Sequence, residues 1–375
     1  MDFSLSEEQK AISELAGQIL GDHATLERLK ALEESEECFD REAWAKLAEA
    51  GLLGVALPAE QGGSEAGFVE VCLILEQIGR AAAHIPMVAS IVSSALPIAR
   101  FGNPEQKQAL LGGVVQGKSL LTAALVEAGS SPRSPATRAS RTEGGFRLDG
   151  VKVAVPLAAQ ADRILVPATT DDGSIGVFLV EPTASGIRLE PQTTFNWESH
   201  YRMQLDAVEV GPQALLGTLS EGRAILDWIV DRTTTGLCAV ATGAAAAAMR
   251  ITADYVSERK QFGKAIATFQ AVSQRMADCF IDNEAIQLTM WQAATRLADE
   301  TPSDREVAIA KFWAGDGGSR IGHAALHLHG GISIDVDYPI QRYFLWLKQI
   351  EHTLGAGNDQ LERLGSWIAS EPPGA

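Results

Sequence analysis

The chain has 375 residues, of which 46% are hydrophobic; this excludes a disordered segment and suffices for two or three packed units. Its 48 acidic and 31 basic residues give a formal charge of −17, which opposes attraction to nucleic acid or an anionic membrane. The four cysteines form no CxxC pair and have no histidine at ligand spacing, so they read as reduced thiols of a cytoplasmic protein, with no metal site.

Met1 opens a segment with neither a basic stretch nor an apolar core, so no signal peptide is expected. Ser6 followed by Gln9 is a capping box, and Ile12, Leu15, Ala16, Ile19 and Leu20 share one helical face. A second helix carries Trp44, Leu47 and Leu52, residues 58–63 form a turn, and 69–83 are helical. The longest uncharged stretch, 81–99, is interrupted by His84, Pro86 and Pro97, which argues against a membrane span.

Near Leu120 the period changes to two. Runs at 146–155, 163–167, 175–180 and 203–210 alternate and are separated by Gly, Pro, Asp and Ser, which predicts a small antiparallel β-unit. Helical periodicity returns after Glu221, with one long helix over 224–258 and others near 265–297, 304–329 and 339–352. The alanines at 244–248 invite close approach of a partner helix. The order is helices, strands, helices: an α+β protein with an N-terminal helical domain (1–119), a middle β-domain (120–217) and a C-terminal helical domain (218–375).

Three segments stand in a telling order. Leu57-Pro58 and Gly62-Gly63 follow the capped N-terminus; Tyr255 leads into Arg259, Phe262 and Phe269-Gln270; and His327 precedes Gly330-Gly331, with Tyr338-Pro339 close behind. At these spacings the chain resembles the acyl-CoA dehydrogenase superfamily over nearly its whole length. The resemblance implies that fold, with a C-terminal four-helix bundle, and FAD as cofactor. A guanidinium at Arg259 suits the pyrophosphate of FAD, Phe262 offers the adenosine half an apolar surface, and Gln270 offers an amide. Gly330 and Gly331 leave their backbone open to a phosphate or ring. Gln261, Ile266 and His327 complete the implied cofactor-binding set, which in the family reaches across a subunit interface to the ADP half of the neighbour's FAD.

The chemistry of the family needs a carboxylate at the α-carbon of an acyl thioester. Depending on gap placement, Leu354, Gly355 or Ala356 occupies the usual position, and Thr233 the alternative one on the long helix. None can take a proton, so no catalytic residue is assigned here; Glu351, Asp359 and Asp231 lie nearby but are expected to aim elsewhere. The loop 126–132 is shorter than usual, and Ala154-Val155-Pro156 replaces the usual Trp-Ile-Thr beside the flavin ring. These losses fall on the ring half of the site alone. That pattern resembles one subunit of the α2β2 acyl-CoA dehydrogenases of bacterial steroid side-chain degradation, with a second, dehydrogenase-like subunit as partner and an electron-transfer flavoprotein as acceptor. A flavin monooxygenase or an oxidase without the glutamate is the alternative on the same fold.

Overall fold

Signals at helix ends set the first elements of the computed structural model, which describes residues 4–35 and 38–370. Met1, which opens the segment read for a signal peptide, lies outside them. Helix α1 (Glu7–His23) starts at the predicted capping box: Ser6 Oγ accepts the Gln9 N–H at 3.1 Å, and Gln9 Oε1 accepts the Ser6 N–H at 3.0 Å. After α2 (Leu26–Glu33), Asp40 caps α3 (Arg41–Glu49) by accepting the Ala43 N–H at 2.9 Å. Gly62, at φ 88°, makes the turn before α4 (Phe68–Ala81). A π-helical stretch, Val88–Ala95, then runs into α5 (Leu96–Phe101), and α6 (Pro104–Val115) follows with its own capping box at Asn103. The uncharged stretch is therefore core: every residue from Ala89 to Ile98 is buried.

Seven strands form one sheet: β1 (Leu121–Ala123), β2 (Arg138–Thr142), β3 (Gly145–Pro156), β4 (Arg163–Thr170), β5 (Ile175–Val180), β6 (Ile187–Gln192) and β7 (His200–Val210). Their order is β1-β4-β2-β3-β7-β6, with β5 on β4. Most pairs are antiparallel as expected, but β1 and β2 both run parallel to β4. Three strands escape the period-2 signal. β1 is three residues and fully buried, β2 is short with a single buried residue, and β6 is short and mostly exposed, so none presents a clean alternation. Inward residues such as Phe146, Leu148, Ile164, Phe178 and Met203 make the sheet's core, with the Phe146 and Phe178 rings 5.0 Å apart.

Helix α7 (Gly222–Glu258) is 37 residues long and leads into a hairpin of β8 (Lys260–Gln261) and β9 (Lys264–Ala265). It is long and apolar enough to cross a bilayer, yet 67% of its most apolar window is buried within the protein. Then come α8 (Gln270–Ala298), α9 (Asp304–Phe312), a π-turn over Trp313–Gly317, α10 (Gly318–His329), α11 (Ile340–His352) and α12 (Gly357–Ser370). The helix expected over 304–329 is thus α9, the π-turn and α10. Gly355 and Gly357 break the pattern that would have announced α12.

Two compact units emerge. One joins the residues up to Lys30, Cys72–Ala83 and Thr234 onward; the other joins Ala31–Val71 and His84–Thr233. Inside the first, the partner helix invited by the alanine run is α4. A Cβ on Gly243 would lie 1.8 Å from the Glu76 carbonyl oxygen, and one on Gly79 would lie 1.9 Å from that of Val240. The two backbones touch, and only glycine fits. Gly243→Ala should therefore destabilise the protein by about 1–3 kcal/mol through forced separation of α4 and α7. Guanidinium denaturation of the variant against Gly112→Ala, where an added Cβ meets nothing within 4 Å, measures the difference.

Candidate cofactor site

The end of α7 builds the first half of the site. The Arg259 N–H donates to Tyr255 O at 2.8 Å, continuing the last turn, and the Arg259 carbonyl accepts from Ile266 N at 2.8 Å, closing the hairpin. Phe262 at φ 52° and Gly263 at φ 78° are both left-handed, as a two-residue turn with the twist of its strands requires. That turn thrusts Phe262 outward until its side chain is 93% exposed, with the Phe269 ring edge-on at 6.2 Å and the Lys264 ammonium over Phe269 at 4.4 Å. Among the described residues the Arg259 guanidinium and the Gln270 amide make no hydrogen bond or ion pair, and both residues are exposed. Gln261 is also exposed, though its amide donates to its neighbour Lys260 O at 2.8 Å; Ile266 is half-buried in the short 3-10 turn that follows.

The end of α10 builds the second half. His327 is exposed in the last turn, and Gly330 stops the helix at φ 63°, ψ −142°. A Cβ added at Gly330 or Gly331 would meet nothing within 4 Å. Gly330 is accounted for by its backbone angle. Gly331 is not, and no described residue fills the space over it.

An aromatic cluster ties the two halves together. The His329 ring stacks on Tyr255 at 4.4 Å and lies 5.2 Å from Tyr338, and the Tyr255 hydroxyl donates to the His329 carbonyl at 3.3 Å. Burial pulls the His329 pKa below its ordinary value, against the bond between Nδ1 and the Ala325 carbonyl at 2.8 Å; the ring is neutral at pH 7, with Nδ1–H donating. Tyr255 sits one turn before Arg259, and His329 sits beside Gly330. Two motifs about seventy residues apart in the chain are thereby held at one place. His329 was not among the residues singled out from the sequence, because a lone histidine beside a Gly-Gly pair carries no sign of what it packs against.

Where a flavin ring would need contacts, the other unit turns its groups inward. Val126 bridges to Val153, and the next residue, Glu127, is buried. Glu127 accepts from the Lys152 ammonium at 2.5 Å and from Thr137 Oγ1 at 2.6 Å, and Lys152 also donates to the Pro167 carbonyl at 2.7 Å. Burial works against the Glu127 charge, yet Lys152 and Thr137 hold its carboxyl down at about 2. For Lys152 burial wins, and the ammonium falls to about 8 despite Glu127. Beyond the loop, Arg133 binds Asp227 at 2.9 Å and also Asp231, both on α7. The Ala154 N–H is spent on Gln192 Oε1 at 2.8 Å, Val155 is buried, and Pro156 has no N–H.

The candidate base positions are equally committed. Thr233 Oγ1 donates to Ile229 O at 2.7 Å, and Leu354 is 8% exposed at φ 57°. Burial opposes ionisation of Glu351, but Lys348 at 2.6 Å keeps its carboxyl below the ordinary range. Asp359 caps α12 by accepting the Ala356 N–H at 2.7 Å. The fully buried Lys311 donates to the carbonyls of Ile350 and Glu351 at 2.8 and 3.1 Å, fixing the end of α11.

Profiles of known families recognise both helical regions: "Acyl-CoA dehydrogenase, N-terminal domain" matches residues 6–118 and "Acyl-CoA dehydrogenase, C-terminal domain" matches 221–369. The acyl-CoA dehydrogenase FadE27 of Mycobacterium tuberculosis is 36% identical over 99% of this chain and 100% of its own length. The chain belongs to the acyl-CoA dehydrogenase family. FadE28 of the same organism is 32% identical over 98% of each chain. Among solved structures, a variant of the Tcur3481-Tcur3483 steroid ACAD shares 44% identity over 98% of this chain and 99% of its own, with a TM-score of 0.91. The ChsE4-ChsE5 complex from Mycobacterium tuberculosis reaches a TM-score of 0.94 at 36% identity, covering 99% and 100%. The expected cofactor of this acyl-CoA dehydrogenase, FAD, stands with the family. The fit to its ADP half is good: an unpaired guanidinium, an exposed aromatic ring and an open Gly-Gly backbone lie on connected elements. The ring half offers neither a free N–H at 154–156 nor an aromatic face there.

The buried pair supplies a stability prediction. Glu127→Ala strands the Lys152 charge and should cost about 3–5 kcal/mol. Because the folded pKa of Glu127 lies below its ordinary 4.5, its contribution is complete above pH 4.5 and is lost as pH falls toward 2. Urea melts between pH 2 and 6 should show a shallower acid decline in Glu127→Gln than in the unsubstituted chain.

Proposed function

We propose that this chain is the non-catalytic subunit of a heterotetrameric, α2β2, acyl-CoA dehydrogenase that forms the α,β double bond of an acyl-CoA thioester. The partner, a second acyl-CoA dehydrogenase-like subunit, binds the acyl-CoA, supplies the base and seats the flavin ring. This chain contributes Arg259, Gln261, Phe262, Ile266, Gln270, His327, Gly330 and Gly331 to the ADP half of the partner's FAD. Bound FAD supplies the hydride acceptor. Arg259 neutralises and forks onto the pyrophosphate, Phe262 covers the adenosine, and the Gly330-Gly331 backbone donates to oxygens that a side chain would push away.

The observation that carries this reading is the split between the two half-sites. Arg259 and Phe262 face outward with their binding groups unspent, while Leu354–Ala356 and Thr233 leave the base positions without a carboxylate. Apolar surface lies beside the outward half: Ile332, Ile334 and Val336 are 40%, 78% and 56% exposed, and Phe280, Ile281 and Leu288 line one side of α8. Patches of that kind fit a subunit interface. Two neighbours described as a steroid ACAD and as a two-protein complex support a steroid side-chain thioester as substrate and an unlike partner. We assign the complex to the cytoplasm and an electron-transfer flavoprotein as its acceptor.

Co-expression with the partner should give a yellow heterotetramer holding about two FAD, and Arg259→Ala should then weaken FAD binding. A charge-assisted hydrogen bond contributes roughly 1.5–3 kcal/mol, so affinity should fall about ten- to a hundred-fold, with turnover restored by excess FAD. Arg259→Lys should recover part of the loss, since an ammonium cannot fork. Titration of FAD into the apo-complex reads the effect. Unchanged affinity in Arg259→Ala, or a homotetramer of this chain alone that turns over acyl-CoA, overturns the assignment.

A further inference from the structure

The ring that joins the two motifs is itself ionisable, and its surroundings suit one protonation state. His329 is 3% exposed, stacked on Tyr255 with the planes 24° apart and tilted by 56° against Tyr338. The two tyrosine rings also meet edge-on at 6.4 Å, so the three rings close on one another. Nδ1–H is spent on the Ala325 carbonyl, and Nε2 is buried with no acceptor among the described residues. A proton added at Nε2 therefore makes a buried cation whose new N–H has no protein partner. Tyrosine faces favour a cation. Loss of its water opposes one, and burial holds the His329 pKa below its ordinary 6.5.

The charged groups of the neighbouring elements are placed elsewhere. Tyr338 faces the ring with its own pKa raised, by burial first and then by Tyr255 and Glu258. Arg259, one turn beyond Tyr255, is itself a cation. In the turn after Gly331, Asp335 Oδ1 accepts the Asp337 N–H at 3.0 Å, and Asp337 pairs with Lys30. Arg342 of α11 donates to the Val336 carbonyl at 3.1 Å, and Asp254 of α7 holds Arg250 at 3.0 Å. Asp282 of α8 binds Arg320 at the far end of α10, and His323 and His327 of α10 are exposed.

Given the half-site role proposed above, on which this step rests, we infer that His329 is the positioning residue of the cofactor half-site and works only as a neutral imidazole, so that one added proton releases the end of α7 from Gly330-Gly331. A charged ring regains its water by swinging outward. That abandons the stack on Tyr255 and the hydroxyl bond to the His329 carbonyl, and Arg259 and Phe262, just beyond Tyr255, lose their register against the glycines. Because the folded pKa is depressed, the join is complete above about pH 6.5 and is lost as pH falls through the lower folded value. A charge on the exposed His327 acts in the opposite sense, since it favours the pyrophosphate.

Titration of FAD into the apo-complex with its partner, from about pH 8 to about pH 5 at fixed ionic strength, tests this. Affinity should hold above about pH 6.5 and then fall, approaching tenfold per pH unit once the ring is charged. His329→Phe keeps a ring on Tyr255 but cannot ionise. Its affinity at about pH 8 should lie within about tenfold of the unsubstituted chain, and its acid decline should be gone. His329→Gln, which keeps an amide donor for the Ala325 carbonyl, serves where the phenylalanine variant does not fold, and should lack the decline as well. His327→Gln should retain it. A flat profile in the unsubstituted complex, a decline that persists in a folded His329 variant, or one that vanishes in His327→Gln overturns the assignment to His329. Arg259→Ala separates the two claims. Unchanged FAD affinity there removes the half-site itself, whereas weakened affinity there, together with a flat profile in the unsubstituted complex, removes only the role of His329.

Discussion

Contact between the backbones of α4 and α7 is the constraint on which the C-terminal unit depends. At Gly79 and Gly243 the two helices meet with no room for a single methyl group, so carbonyl oxygens of one helix lie against α-carbons of the other. Helices normally keep side chains between their axes, and removing them here fixes both position and rotation. A helix of 37 residues held that firmly carries its far end as a rigid arm. Tyr255 and Arg259 are at that end, and whatever docks there meets a preset surface.

The arm alone would present one motif. The stacking of His329 on Tyr255 adds the second, since it draws the end of α10, with Gly330 and Gly331, to the end of α7. The resulting surface is unusual in what it leaves undone. Among the described residues a guanidinium and an amide are kept without hydrogen-bond partners, and a phenylalanine stands almost fully exposed beside the Phe269 ring. An exposed ring of that size is unfavourable in water and is tolerated where another surface covers it. The opposite holds around the 126–133 loop, where Glu127, Lys152, Arg133, Asp227 and Asp231 are spent on one another. One family fold thus leaves the surface around Arg259 and Phe262 open and ties the 126–133 loop down with its own ion pairs.

The second unit holds one buried polar group that is met by acceptors and another that is not. Lys152 ties β3 both to Glu127 in the loop before β2 and to the Pro167 carbonyl of β4. Trp44, at a similar depth, keeps an indole N–H with no hydrogen-bond partner among the described residues.

Much of the fold was legible in the sequence because it rests on local chemistry. Ser6 and Gln9 cap α1 by contacts three residues apart, β3 and β7 alternate with the pleat, and the apolar period of α7 persists for ten turns. The candidate cofactor set was read from spacing alone, that of Arg259, Phe262 and Gln270 and of His327 and Gly330. Only the tertiary structure decided that β1 and β2 run parallel to β4, since strand direction depends on partners distant in sequence. It likewise decided that His329 joins the two motifs and that Arg133 reaches Asp227 and Asp231. Each of these is a meeting of side chains more than forty residues apart. Periodicity and capping record what a residue does with its own neighbours, and they carry no trace of which distant group packing will bring against it.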